Sequence, residues 1–446
     1  MKKIYLSIFL VMGLVLGWTI SAVSAASLEI NEFFLSNGVK VLHVERRNLP
    51  VVTMSILVKA SPRDEEPSKA GLAWMTARLL AEGTATKKGP EISEEIEYLG
   101  ASLGTSVSSD FTLMTYSSLK KDVAAGFALA SDVLLNPAFS EEELARKKTV
   151  AKGSLQQREE DPQYVAGKRF LREVFGPQHP YGRVTEGEAA TIDAITRADI
   201  VAFYTRMYRP ETTVISLVGD LSGAETRTLM ERYFGGWKAS GTAGGQRPSV
   251  PVVQPSAKKV FIDRDVTQAT IVLGHTGISR TNPDFYAAQV MNYILGGGGF
   301  SSRLMQVVRD QMGLAYSISS SFAAHEGPGT FSVEVQTKNA SAQTVVAEID
   351  RQMRRMRTEL VSDAELQDAK AYLTGSFPRR LETSKKIVDL IAVADFFGIS
   401  RNYVQNYLSA VQRVTREDVL RVAQKYLHPD QAVLVILGKQ AEIQKP

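Results

Sequence analysis

The residues best suited to chemistry in this 446-residue chain are few and scattered. Five histidines, His43, His179, His275, His325 and His428, could ligate a metal or move a proton. None forms an H-x-x-H or H-x-x-x-H pair, so each reads as a surface or structural histidine. The absence of cysteine excludes disulfides and a lipid-bearing cysteine. Glu82, Glu159 and Glu160 are candidate bases, but Glu82 has no metal partner beside it and carboxylates are normally exposed, so all three read as surface groups. The run Gly296 to Gly299 lacks the G-x-x-x-x-G-K-[ST] order of a phosphate loop. It reads as a flexible link between two helices, with Ser301, Ser302 and Arg303 capping and starting the second. On spacing alone, Arg309 and Tyr316 read as a helix-end charge and a half-buried strand aromatic. No metal constellation or nucleophile with its base emerges.

The elements that must position these residues fall into two similar halves. Lys2 and Lys3 precede the apolar run "IYLSIFLVMGLVLGWTI", and "SAVSAAS" supplies small residues for a cleavage site, so residues 1–25 read as a secretory signal peptide. The expectation is a secreted, periplasmic protein. Without Lys2 and Lys3 the formal charge falls from +4 to +2, which is too small to imply a nucleic-acid partner. The Gly- and Pro-rich stretch 235–255 reads as a linker between a first domain, 26–234, and a second, 256–446.

In these halves "ITRADIVAFYTRMYRPETTVISLVGDL" aligns without a gap on "VTREDVLRVAQKYLHPDQAVLVILGKQ" at a constant offset of 219. Each copy starts with a Thr–x–x–Asp cap, breaks at Pro and ends in a β-branched strand closed by Gly, which predicts helix, turn and strand. Ser140 with Glu143, and Ser362 with Glu365, predict capping boxes opening a long helix in each half. The fold expected is α+β: two homologous domains, each a mostly antiparallel sheet with helices on one face, facing each other across a cleft.

Taken together, "AGLAWMTARLLAEGT", "HPYGRVTEG" and "ILGGGGFSSRLMQVVRDQMGLAYSISSSF" resemble the insulinase/pitrilysin family of inverted zinc metallopeptidases, over nearly the whole chain after the signal. In active members the first segment carries H-x-x-E-H, two zinc-binding His and a Glu that activates water. Here those positions are Trp74, Ala77 and Arg78, and the family's third ligand falls near Gly153 or Ser154. The resemblance therefore implies no metal in this chain. It further implies that Arg309 and Tyr316 match a family pair that holds substrate near the scissile carbonyl, a role suited to two hydrogen-bond donors. It also implies that "GASLGTSVSSDF" is an edge strand pairing with extended substrate. The function implied is a non-catalytic subunit whose partner chain carries H-x-x-E-H and the zinc. A stand-alone peptide-binding scaffold and an active peptidase with an unconventional site are the alternatives.

Overall fold

The computed structural model describes residues 28–238, 247, 249–254, 256–399 and 402–444. Residues 1–25, read as a signal peptide, and much of the linker lie outside them. Six strands form the first sheet: β1 (Asn31–Phe34), β2 (Lys40–Glu45), β3 (Val51–Val58), β4 (Ser102–Val107), β5 (Thr112–Leu119) and β6 (Thr213–Gly219), in the order β1-β2-β6-β3-β5-β4. Five form the second: β7 (Lys258–Asp263), β8 (Gln268–Thr276), β9 (Ile318–Ala323), β10 (Thr330–Lys338) and β11 (Val433–Gly438), in the order β7-β11-β8-β10-β9. In each sheet one pair is parallel, β2 with β6 and β7 with β11, and the rest are antiparallel. Apart from β1, the two topologies are the same.

The repeated unit forms as its sequence dictates. Thr196 and Thr415 each cap a helix, Arg197–Met207 and Arg416–Tyr426, in a reciprocal box with Asp199 and Asp418. Pro210 and Pro429 then open single 3-10 turns that lead into β6 and β11. The other predicted boxes divide. Ser362 and Glu365 make both bonds, whereas Ser140 caps its helix (Glu141–Arg158) alone, because the Glu143 carboxylate is taken by Arg146 at 2.7 Å.

One expectation needs correction: helices cover both faces of each sheet. Val52, Met54, Ile56 and Val58 of β3 point into a core with Met75, Leu79 and Phe127 of their own half. The opposite face, carrying Leu42, Val44, Val214 and Val218, is closed by Ile387, Val388 and Ile391 of helix Ser384–Phe396 from the second half. Reciprocally, Val165, Phe170 and Val174 of helix Pro162–Phe175 in the first half cover Val272, Val433 and Val435 of the second sheet. This exchange is why every residue of β6 and β11 is buried instead of alternate ones. Each such Ile, Leu or Phe contributes about 1.5–3 kcal/mol of burial, so the interlock couples the stability of the two halves.

Candidate functional site

Helix Leu72–Leu79 holds the three positions that resemble a zinc motif. Its N-terminus is set from outside the helix, since the Glu65 carboxylate accepts the Gly71 N–H at 3.0 Å and the Ala73 N–H at 2.9 Å. Gly71 is required here: its φ is +97°, and an added Cβ would lie 2.4 Å from the Glu186 carbonyl oxygen. Burial pushes the Glu65 carboxyl up to about 7, against the opposing pull of those N–H groups and the Arg183 charge. The scaffold helix is therefore intact and held in place.

Its chemistry is not that of a metal site. Trp74 is half-buried, Ala77 is buried, and the exposed Arg78 guanidinium lies 5.4 Å from the Trp74 ring centroid. Gly153 and Ser154 are exposed on helix Glu141–Arg158, which packs against helix Leu72–Leu79. An indole, a methyl, a guanidinium and at most one hydroxyl do not fit a zinc ion. Among the described residues no group of three or more His, Cys, Asp or Glu is placed to hold a metal. Glu82 is paired with Arg146 and with Lys147 at 2.5 Å, Glu159 is paired with Lys168, and Glu160 is exposed.

β4 lies beside this helix at the margin of the first sheet, with the Thr105 hydroxyl donating to the Ala77 carbonyl at 3.1 Å. Among the described residues, only β5 hydrogen-bonds to the backbone of β4, so its outer edge is open to another strand. The pseudo-equivalent edge, β9, is closed at Ser320, whose carbonyl accepts the Asn292 amide at 3.1 Å. The glycine run explains that closure and corrects the flexible-link reading. Tyr293–Gly297 is a wide helical turn packed on β9, and a Cβ on Gly296 would lie 2.5 Å from the Ser320 hydroxyl and 2.7 Å from its backbone nitrogen.

Arg309 and Tyr316 come together. The Arg309 guanidinium lies 4.8 Å from the Phe300 ring centroid and 5.8 Å from that of Tyr316, and it pairs with Asp310 at 2.8 Å. Tyr316 is 88% exposed, which replaces the half-buried aromatic expected from spacing and leaves its hydroxyl free to donate. The segment bearing Arg309, Met305–Gln311, is π-helical, and Ser302 precedes it in an extended conformation with its hydroxyl donating back to Gly299. Arg303 is buried and anchors this segment by a two-toothed bond to Glu365 at 2.6 and 3.0 Å. Burial pushes the Glu365 carboxyl up, but Arg303 and Ser362 outweigh it and hold the group at about 2. Among the described residues no hydrogen bond, ion pair or ring contact joins Arg309 or Tyr316 to Trp74 or Arg78.

A polar junction between the halves escaped the sequence reading. Asp110 is buried and accepts the Tyr181 hydroxyl at 2.6 Å and the Glu326 N–H at 3.0 Å, with His325 Nδ1 at 3.4 Å and Arg63 at 3.7 Å. The Tyr181 hydroxyl in turn accepts the Gly327 N–H at 3.1 Å. From the linker, Arg247 binds Asp64 at 2.7 Å and Ser61 at 2.6 Å. His179 accepts the Tyr181 N–H and donates to the Pro251 carbonyl, both at 3.0 Å. The signal was present in "HPYGR" and in a lone Asp ending "GTSVSSD", but no local pattern links them. The other histidines are structural too: His43 bonds the Leu221 carbonyl, while His275 accepts the His428 N–H and is pushed by burial to about 4.

A duplicated α+β architecture with an open edge strand, a helix carrying Trp74, Ala77 and Arg78 beside it and an exposed cation–aromatic pair is that of a two-domain peptidase scaffold. The chain belongs to the insulinase family of M16 peptidases. The family model described as insulinase (peptidase family M16) matches residues 40–185, and that described as the peptidase M16 inactive domain matches residues 194–373. The uncharacterized zinc protease of Rickettsia bellii is 24% identical over 407 residues, covering 91% of this chain and 96% of its own. A Mycobacterium tuberculosis relative of the same description is 27% identical over 411 residues, covering 90% and 92%. The crystal structure of a peptidase M16 inactive domain from Pseudomonas fluorescens has a TM-score of 0.87 at 28% identity and covers 94% of this chain and 100% of its own. Among the described residues no helix is long and apolar enough to cross a membrane.

Proposed function

We propose that this chain is the non-catalytic subunit of a secreted, periplasmic zinc peptidase, and that a partner chain of the same family carries the zinc site. One observation carries the reading: a scaffold helix retained beside an open edge strand, with Trp74, Ala77 and Arg78 where a metal set would stand. The likeness of residues 194–373 to the M16 inactive domain supports it. In this role β4 holds extended peptide through backbone hydrogen bonds, which need no metal. Tyr316 and Arg309 donate to a peptide carbonyl and to the negative charge that develops on it, while the partner supplies the activated water.

The test is affinity isolation of the tagged protein from its envelope fraction, with mass spectrometry and a peptide-cleavage assay of the eluate. A stoichiometric partner bearing H-x-x-E-H, with cleavage abolished by a chelator, is the expected result. Self-association without cleavage would overturn the two-chain enzyme and leave the second reading, a stand-alone peptide binder, which the complete open edge of β4 favours.

A further inference from the structure

The two sheets are built to one plan, and the register identifies a residue at which they differ in charge. Ser55 of β3 stands between Thr115 of β5 and Ser216 of β6, while Val272 of β8 stands between Glu334 of β10 and Val435 of β11. Glu334 therefore takes the place of Thr115. In each sheet the helix borrowed from the other half covers the central strands and leaves the outer two bare on that face. On the first sheet the bare face carries Ser102, Gly104 and Ser106 of β4, exposed and paired with Ser117, Thr115 and Leu113. On the second it carries Ser319 and Ser321 of β9, paired with Glu334 and Ser332. One face is uncharged; the other bears a carboxylate.

That carboxylate sits in a recess of about 350 Å³ between the halves, where Gln163 of the first half meets Gln268, Thr270, Ser319 and Gln336 of the second. Tyr316 stands in the wall of the same recess. Glu334 is exposed, receives only a 3.5 Å contact from the Ser332 hydroxyl, and pairs with no cation among the described residues. No Lys, Arg or His lines the recess with it. Unpaired carboxylates are common on open surfaces, but this one stands in a concave polar site, ringed by amide and hydroxyl groups that can accept hydrogen bonds, beside the phenol assigned to hold peptide.

We infer that the Glu334 recess selects a basic side chain, Lys or Arg, of the bound peptide. The inference rests on the peptide-holding role proposed above and gives it a substrate class. A long side chain entering beside Tyr316 carries its cation to Glu334, and the surrounding amides and hydroxyls accept its remaining N–H groups. An acidic side chain there meets like charge and is excluded.

The test uses the full chain, immobilised, and three pools of undecapeptides with randomised flanks and a central Lys, Gln or Glu, with capture quantified by mass spectrometry. Wild type should enrich the Lys pool about fivefold over the Gln pool, the scale of one partly solvated ion pair. Glu334→Gln should bring that ratio to about one without reducing capture of the Gln pool, and Glu334→Lys should turn the preference toward Glu peptides. Equal capture of the Lys and Gln pools by wild type, or a Lys preference that survives in Glu334→Gln, would overturn the inference while leaving the peptide-binding role standing. Capture of no pool by wild type would overturn both.

Discussion

Replacing Glu65 with Gln should change how stability varies with pH, and the sign is set by which of two opposing effects dominates at a buried helix N-terminus. The N–H groups of Gly71 and Ala73, together with the Arg183 charge, favour the carboxylate; burial, with Glu65 only 7% exposed, favours the neutral acid and outweighs them, moving the group from 4.5 to about 7. The folded state thus binds this proton more tightly than the unfolded state does. The stability it contributes is fully present below about pH 4.5 and is lost as pH rises through about 7. At roughly 1.4 kcal/mol per pH unit, the ionised form costs about 3 kcal/mol above pH 8.

Gln is nearly isosteric with the neutral acid and cannot ionise. Wild type should therefore lose about 3 kcal/mol relative to Glu65→Gln between pH 4 and pH 8.5. With an unfolding entropy of about 2.1 cal/mol/K per residue, a chain of 446 residues melting as one interlocked unit shifts its Tm by about 1 °C per kcal/mol. The expected change relative to the variant is thus about 3 °C, read by scanning calorimetry of both proteins from pH 4 to 8.5. A wild type that becomes more stable than the variant as pH rises would refute the reasoning. It would mean that the helix N-terminus and Arg183 outweigh desolvation.

Three further outcomes are expected. Tyr316→Phe and Arg309→Ala should each lower kcat of the assembled two-chain enzyme about 100- to 1,000-fold, as loss of one donor to a developing oxyanion does, while co-purification with the partner is unchanged; unaltered turnover in both removes them from the mechanism. Ile391→Ala, in the helix that crosses to the first sheet, should cost about 2–5 kcal/mol and lower the temperature at which both halves melt, and separate melting of the halves would show that the interlock does not couple them. Tyr181→Phe leaves the Asp110 carboxylate and the Gly327 N–H each short of a partner, so a loss of about 1–3 kcal/mol is expected, with faster amide exchange at Glu326 and Gly327; unchanged exchange there would show that the junction does not hold the halves together.

What could be read from the chain follows the range of the forces involved. The helix, Pro turn and strand of each repeat are set by contacts three or four residues apart, so the Thr196 and Thr415 caps and both following strands were legible. The exchange of helices was not, because Val165 and Ile391 look like ordinary core-facing residues; only the unbroken burial of β6 and β11 hints that both faces are covered, and it does not say by what. The Glu143 cap failed because Arg146, one turn on, competes for the same carboxylate. The glycine run was misread because Gly296 answers to Ser320, a neighbour brought near only by the fold. Site residues divide in the same way. The loss of the metal set at Trp74, Ala77 and Arg78 is a matter of residue type and needs no geometry. Glu65 and Asp110 owe their character to burial and to partners outside their own element, and Glu334 owes its character to the recess that the fold builds around it. The exchanged helices supply the link between them: by covering the central strands and leaving the outer strands bare, they leave β4 open at its edge and Glu334 exposed beside Tyr316. The arrangement that makes the halves inseparable is thus also the one that leaves surface for a peptide.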